Sequence, residues 1–225
     1  FNSLLTASLE KASTQARENL DDKLYSALDW PQDLEGYVEY LVWFAKWAPQ
    51  QSTAEAWKPA NIPPHKEASQ EVYDRLCHFY WLVDQEVGKK KVIAEEIPWF
   101  SKWLVGYAKA WGSFLDTTNS FNEEVLQSFM DDSTKYRIED SMINGKPNNP
   151  SGWLTFNQFF ARELNPGLRP IANPMDNKVV SSPADCTYRM KYAIDKNSKL
   201  KAVTVKKTHK YAKIPDLLEG SDYKD

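Results

Sequence analysis

The sequence predicts an α+β fold: an all-α N-terminal domain over residues 1–145, followed by the beginning of a β-rich domain over 152–225. Three observations predict it. Apolar residues recur at helical spacing almost without interruption up to residue 131, the signature of amphipathic helices. Only eight glycines occur and few precede residue 145, which suits helices because glycine destabilises their interiors. After Pro166 the texture changes to Val- and Tyr-rich stretches with local alternation, a strand pattern.

About five helices are expected in the first part. Leu5, Leu9, Ala12, Ala16, Leu20 and Leu24 place one helix over 4–28. Pro31 suits the first turn of the next, whose stripe is Leu34, Tyr37, Val38, Leu41, Phe44 and Ala45. Pro49 ends it, and residues 50–66, with Pro59, Pro63 and Pro64, read as a loop. Val72, Tyr73, Leu76, Phe79, Tyr80 and Val83 form a third stripe closed at Gly88, and Phe100, Trp103, Leu104, Tyr107, Trp111 and Phe114 a fourth. Ser120-x-x-Glu123 has the form of a capping box ahead of Val125, Leu126 and Phe129.

The stretch 144–152, NGKPNNPSG, is a turn-rich linker. Thr155-x-x-Gln158 is a second capping box and opens a short helix. Residues 178–194 and 199–207 read as strands, and 214–220 as a turn of helix. Roughly 70 residues of β structure are marginal for an independent core, so this part is expected to continue or to pair with another chain.

Composition excludes several classes. The net charge of −3 selects no partner. Cys77 and Cys186 form no motif and no disulfide framework. No run of about 18 apolar residues occurs, and residues 1–20 are too polar for a signal peptide. A cytoplasmic or membrane-peripheral location follows as an expectation. No metal-ligand spacing is present.

Three motifs after residue 152 carry a resemblance. TFNQFFARELNPGLRPI (155–171) resembles a phenylalanine-pair, arginine, Arg-Pro-Ile motif. VVSSPADC (179–186) resembles a Val-x-Ser-Pro-Ala-Asp-Gly strand and turn. VTVKKTHKYAKIPDLLEGS (203–221) resembles a Val-Lys-Gly-x-x-Tyr-Ser-Leu-x-x-Leu-Leu stretch. Their order and spacing are those of the phosphatidylserine decarboxylase family, and the helical part resembles the extra N-terminal domain of some members. Cys186 and Thr208 stand where many members have glycine, and Lys213 and Pro215 interrupt the third motif.

The resemblance implies a proenzyme that cleaves itself at a Gly-Ser motif. The products are a β chain and an α chain that begins with a pyruvoyl group, the electron sink for decarboxylation. It implies that Asp185 is the acid that orients a histidine, which in turn activates the serine. The histidine-bearing segment and the Gly-Ser motif are expected after residue 225, so this chain alone should be inactive. Its partners would be its own C-terminal α chain and an amine-bearing substrate. That substrate is phosphatidylserine or, as in some fungal relatives, a free aromatic amino acid. A non-catalytic module that keeps the fold is the competing reading, and a homodimer stays open.

Other residues have plainer readings. Gly220-Ser221 is expected to mark a turn. His65, His78 and His209 form no site. Cys186 is expected to be inert, since the Asp185 carboxylate would raise its thiol pKa. The aromatic run 99–115 is expected to pack in a core. Nine Lys/Arg against Asp195 over 186–213 read as a solvated strand edge. Anionic membrane headgroups are the second reading there, and no nucleic-acid partner is expected.

Overall fold

The computed structural model describes residues 2–52, 54–57, 69–88, 91–132, 134–181, 192–205 and 209–217. It divides into two compact units, Phe1–Arg169 and Pro170–Asp225.

In the first unit, α1 (Asn2–Asn19) buries Leu5, Leu9, Ala12 and Ala16 on one face. The predicted helix over 4–28 is broken. Asp21 accepts a hydrogen bond from the Lys23 amide and caps a separate α2 (Asp22–Leu28). Asp29 ends α2 in the left-handed region at φ 51°, which Asp tolerates better than most residues. Pro31 does not start the next helix. Asp33 does, accepting from the Gly36 amide at 2.9 Å to cap α3 (Leu34–Phe44), as short acceptor side chains do.

α4 (Glu71–Val83) and the 18-residue α5 (Pro98–Leu115) follow, and α1 packs against both α3 and α4. Two short antiparallel ribbons lie in this unit beyond the all-α expectation. One is β1 (Glu86–Val87) with β2 (Val92–Ile93), the other β3 (Met142–Ile143) with β4 (Lys146–Pro147). Gly88 and Gly145, at φ +71° and +76°, make their reversals, a backbone region glycine enters without a Cβ clash.

Two cores share α5. Phe100, Trp103, Leu104 and Tyr107 pack on the core formed by α1, α3 and α4, while Trp111, Phe114 and Leu115 serve the second. The Tyr107 hydroxyl donates to the Leu41 carbonyl at 2.6 Å and the Trp111 indole to the Trp47 carbonyl at 2.7 Å. The aromatic run 99–115 is thus mainly core, with Trp99 and Val105 about half exposed. His78 is 2% exposed, its ring 4.1 Å from Trp30 and 4.6 Å from Tyr40. Burial, with Arg75 nearby, pushes its pKa down to about 3, so it is neutral in the fold.

The second core joins α6 (Glu123–Asp132) to α7 (Phe156–Phe160) through Val125, Phe129, Ile138, Trp153, Phe156 and Phe159. Ser120 is not the cap of α6. Asn122 is, accepting from the Val125 amide. The Ser120 hydroxyl points to the Leu115 and Thr117 carbonyls and accepts from the Phe156 amide at 3.0 Å. The second capping box forms in half: Thr155 accepts from the Gln158 amide, but the Gln158 side chain accepts from the amide of Leu154, one residue before the cap.

In the second unit, β5 (Lys199–Val205) and β6 (His209–Lys213) form an antiparallel hairpin followed by α8 (Ile214–Leu217). Val203 pairs with Tyr211 and Lys199 with Lys213, with a register shift between. The strand expected from residue 178 is absent over 178–181. Asp176 instead holds a turn, its side chain accepting from the Lys178 amide and its carbonyl from that of Val179.

Phe100→Ala should cost about 3–5 kcal/mol, read as a lower urea midpoint with an unchanged slope. Ser120→Ala strands the buried Phe156 N–H and should cost about 1–3 kcal/mol, read the same way. For His78, the unfolded chain protonates near 6.5 and the folded one near 3. The unfolded state therefore binds more protons between these values, and stability falls as pH drops through that window. His78→Phe should flatten that fall in urea titrations at stepped pH.

Candidate functional site

The segment in which the first motif lies starts inside the helical unit. Thr155 opens α7, whose Phe156 and Phe159 are buried while Phe160 is exposed. Helical spacing puts residues 156, 159 and 160 on neighbouring positions of one face, and Phe160 lies at its exposed edge, stacked on Phe156 at 6.2 Å. Phe159 stacks on Phe121 at 4.9 Å and lies 5.3 Å from Phe129. Arg162 follows with its guanidinium 5.0 Å from the Phe159 ring centroid, donating to the Tyr136 carbonyl at 2.7 Å and the Phe159 carbonyl at 3.2 Å.

Asp140 ties the end of the motif back to the same unit. Its carboxylate is largely buried and meets Arg137 at 2.8 Å and Arg169 at 3.3 Å. The Arg137 hydrogen bond, helped by Arg169 and opposed by desolvation, holds its carboxyl below the usual carboxylate range. The Asn165 amide donates to the Asp140 carbonyl at 2.7 Å, and the Asn165 side chain to that of Met142. The Asn148 side chain donates to the Glu163 carbonyl and to the Asn165 side-chain oxygen. Beside these contacts lies a concavity of about 740 Å³, lined by residues including Asp116, Trp153, Asn157 and Arg162. Within it Asn157 donates to Asp116 at 2.8 Å. These contacts anchor a backbone.

Asp185, Cys186, His65 and Ser221 lie outside the described residues. His209 begins β6 opposite Val205, and His78 is sealed in the first core. Of the basic residues over 186–213, Lys196, Lys199 and Lys213 are exposed, and Lys201 and Lys210 lie on the two hairpin strands. Among the described residues no group of His, Cys, Asp or Glu is placed to hold a metal ion. No described helix is long and apolar enough to cross a membrane.

Sequence reading missed the Arg137–Asp140–Arg169 clamp. Arg137 and Asp140 stand three residues apart, a legible pair, but Arg169 is 29 residues on and gives no local signal.

Residues 156–225 match the family model for phosphatidylserine decarboxylase. Decarboxylase iboD of Amanita muscaria is 29% identical over 100 residues, covering 39% of this chain and 28% of that protein. The phosphatidylserine decarboxylase proenzyme of Francisella philomiragia is 45% identical over 51 residues, 23% of this chain and 17% of that protein. That of Francisella tularensis subsp. novicida is 40% identical over 62 residues, 28% and 21% respectively. The chain thus spans less than a third of the length of these relatives. No solved structure matches it. Over residues 156–225 the chain is thus similar to the phosphatidylserine decarboxylase family.

Proposed function

We propose that this chain is part of a pyruvoyl-dependent carboxy-lyase that converts phosphatidylserine to phosphatidylethanolamine, releasing CO2, after self-cleavage of a proenzyme. The observation that carries the reading is the run of three motifs, in order, within the matched residues 156–225. The pyruvoyl group supplies the electron sink for loss of CO2, and its serine has no counterpart among the motif positions of this chain. What this chain contributes is Asp185. Its carboxylate accepts an N–H from a histidine of the remaining polypeptide, which fixes the tautomer so that the other ring nitrogen takes the serine proton. The partner is then the enzyme's own α chain. Residues 1–145 act as an added helical domain and residues 152–225 as the first part of the catalytic domain.

A second reading differs in substrate: a free aromatic amino acid on the same fold. The similarity over 100 residues to a fungal decarboxylase not named for phosphatidylserine favours it.

Intact mass spectrometry of the full-length gene product under denaturing conditions tests the common part. Two chains are expected, the smaller with a pyruvoyl-blocked N-terminus; a single uncleaved chain overturns self-processing. Asp185→Ala in the full-length proenzyme should slow cleavage by about 10⁴-fold with an unchanged circular dichroism spectrum. Cleavage at the parent rate removes the assignment. CO2 release from phosphatidylserine vesicles against free aromatic amino acids separates the two substrates.

A further inference from the structure

Two outer helix faces of the first unit carry opposite charge around exposed apolar residues. On α3, Glu35, Val38, Glu39 and Val42 share a face at i, i+3, i+4 and i+7. All four are exposed, the valines at 44% and 58%. On α5, Lys102, Val105, Gly106 and Lys109 repeat that spacing and are likewise exposed, Val105 at 53%. α3 holds two acids and no base, α5 two lysines and no acid. Among the described residues, Glu35, Glu39, Lys102 and Lys109 take no part in an ion pair. The two helices are neighbours, joined by the hydrogen bond from Tyr107 to the Leu41 carbonyl.

A second observation is independent of charge. Gly106 stands in the middle of α5, where glycine lowers helix stability. A Cβ added there would meet no atom within 4 Å, so no contact among the described residues requires a glycine at 106. Val38, Val42 and Val105 are β-branched, which lowers helix propensity, and they leave apolar surface in water. A second helix laid on these faces accounts for all four. Glycine lets a backbone approach closely, and the valines pack around that approach.

We infer that the chain self-associates through these faces, with α3 of one copy lying on α5 of a second. Charge selects that pairing. α3 on α3 would set carboxylates against carboxylates, and α5 on α5 ammonium groups against ammonium groups. In the mixed contact Glu35 and Glu39 meet Lys102 and Lys109, while Val38 and Val42 lie over Val105 and the bare backbone of Gly106. Because α3 and α5 are neighbours, a two-fold axis makes the contact twice and closes the assembly as a dimer. The inference does not rest on the decarboxylase reading.

The test is sedimentation equilibrium of the 225-residue chain over a range of concentrations at low and high salt. A monomer–dimer equilibrium is expected, weakened by salt because its charge pairs are screened. Glu35→Lys with Glu39→Lys should weaken the dimer about tenfold, and so should Lys102→Glu with Lys109→Glu. All four changes together should restore it, since opposite charges again face each other. Gly106→Leu favours the helix. It should raise the thermal midpoint measured at monomeric concentration and still weaken the dimer, a split that a glycine needed for the fold would not show. A chain that stays monomeric throughout, a dimer that survives either charge reversal, or a fourfold variant that stays dissociated overturns the proposal. A monomer that instead binds phosphatidylserine vesicles through Lys102 and Lys109 assigns the α5 face to a lipid surface and overturns it too. The readout needs no self-cleavage. Failure here leaves the decarboxylase reading standing, and an uncleaved full-length protein leaves this result standing.

Discussion

The helical unit depends on α5. One helix of 18 residues, about 27 Å long, supplies the shared wall of two hydrophobic cores. No charged residue lies on its inward positions, and its large rings do two jobs at once. Their bodies remove apolar surface from water, worth about 25 cal/mol per Å². The polar tips of Tyr107 and Trp111 reach main-chain carbonyls at and beyond the C-terminus of α3, where acceptors run short of partners. The spacing of the two cores is therefore set by the rise of a single helix.

That constraint explains how much of the fold could be read from the sequence. The stripes of α3, α4 and α5 follow a 3.6-residue period because each buries one face, and α7 was legible through Thr155, which caps it, and Gln158, whose side chain reaches back to the Leu154 amide. The break between α1 and α2 was hidden because Leu20 and Leu24 continue the four-residue spacing of Ala12 and Ala16 across it. The interruption itself is one capping carboxylate, Asp21. Ser120 fits the capping-box pattern as well as Thr155 does. It is drawn off by the Phe156 amide, 36 residues away, and Asn122 caps α6 instead. A local pattern cannot register a distant donor.

The candidate site divides the same way. Asp185 was legible as a motif position, because its neighbours Ser182, Pro183 and Ala184 are written alongside it. The Asp140 clamp and the concavity beside it were not, since each is assembled from stretches tens of residues apart. The motif positions are thus read from consecutive residues, and the clamp and the concavity from residues that only folding brings together.

Phe156 and Phe159 belong to the family-matched residues by sequence and to the second core of the helical unit by packing. Kinship and architecture are therefore cut at different places: the family match begins at residue 156, and the compact unit closes at Arg169. The glycine- and proline-bearing stretch 144–152 looks like a hinge, yet a crossover there between related genes would leave one descendant without the rings that fill its core and give the other two uncovered phenylalanines. The helical part and the opening of the matched segment, residues 156–169, share one compact unit. Recombination that respects the core has its breakpoint after Arg169.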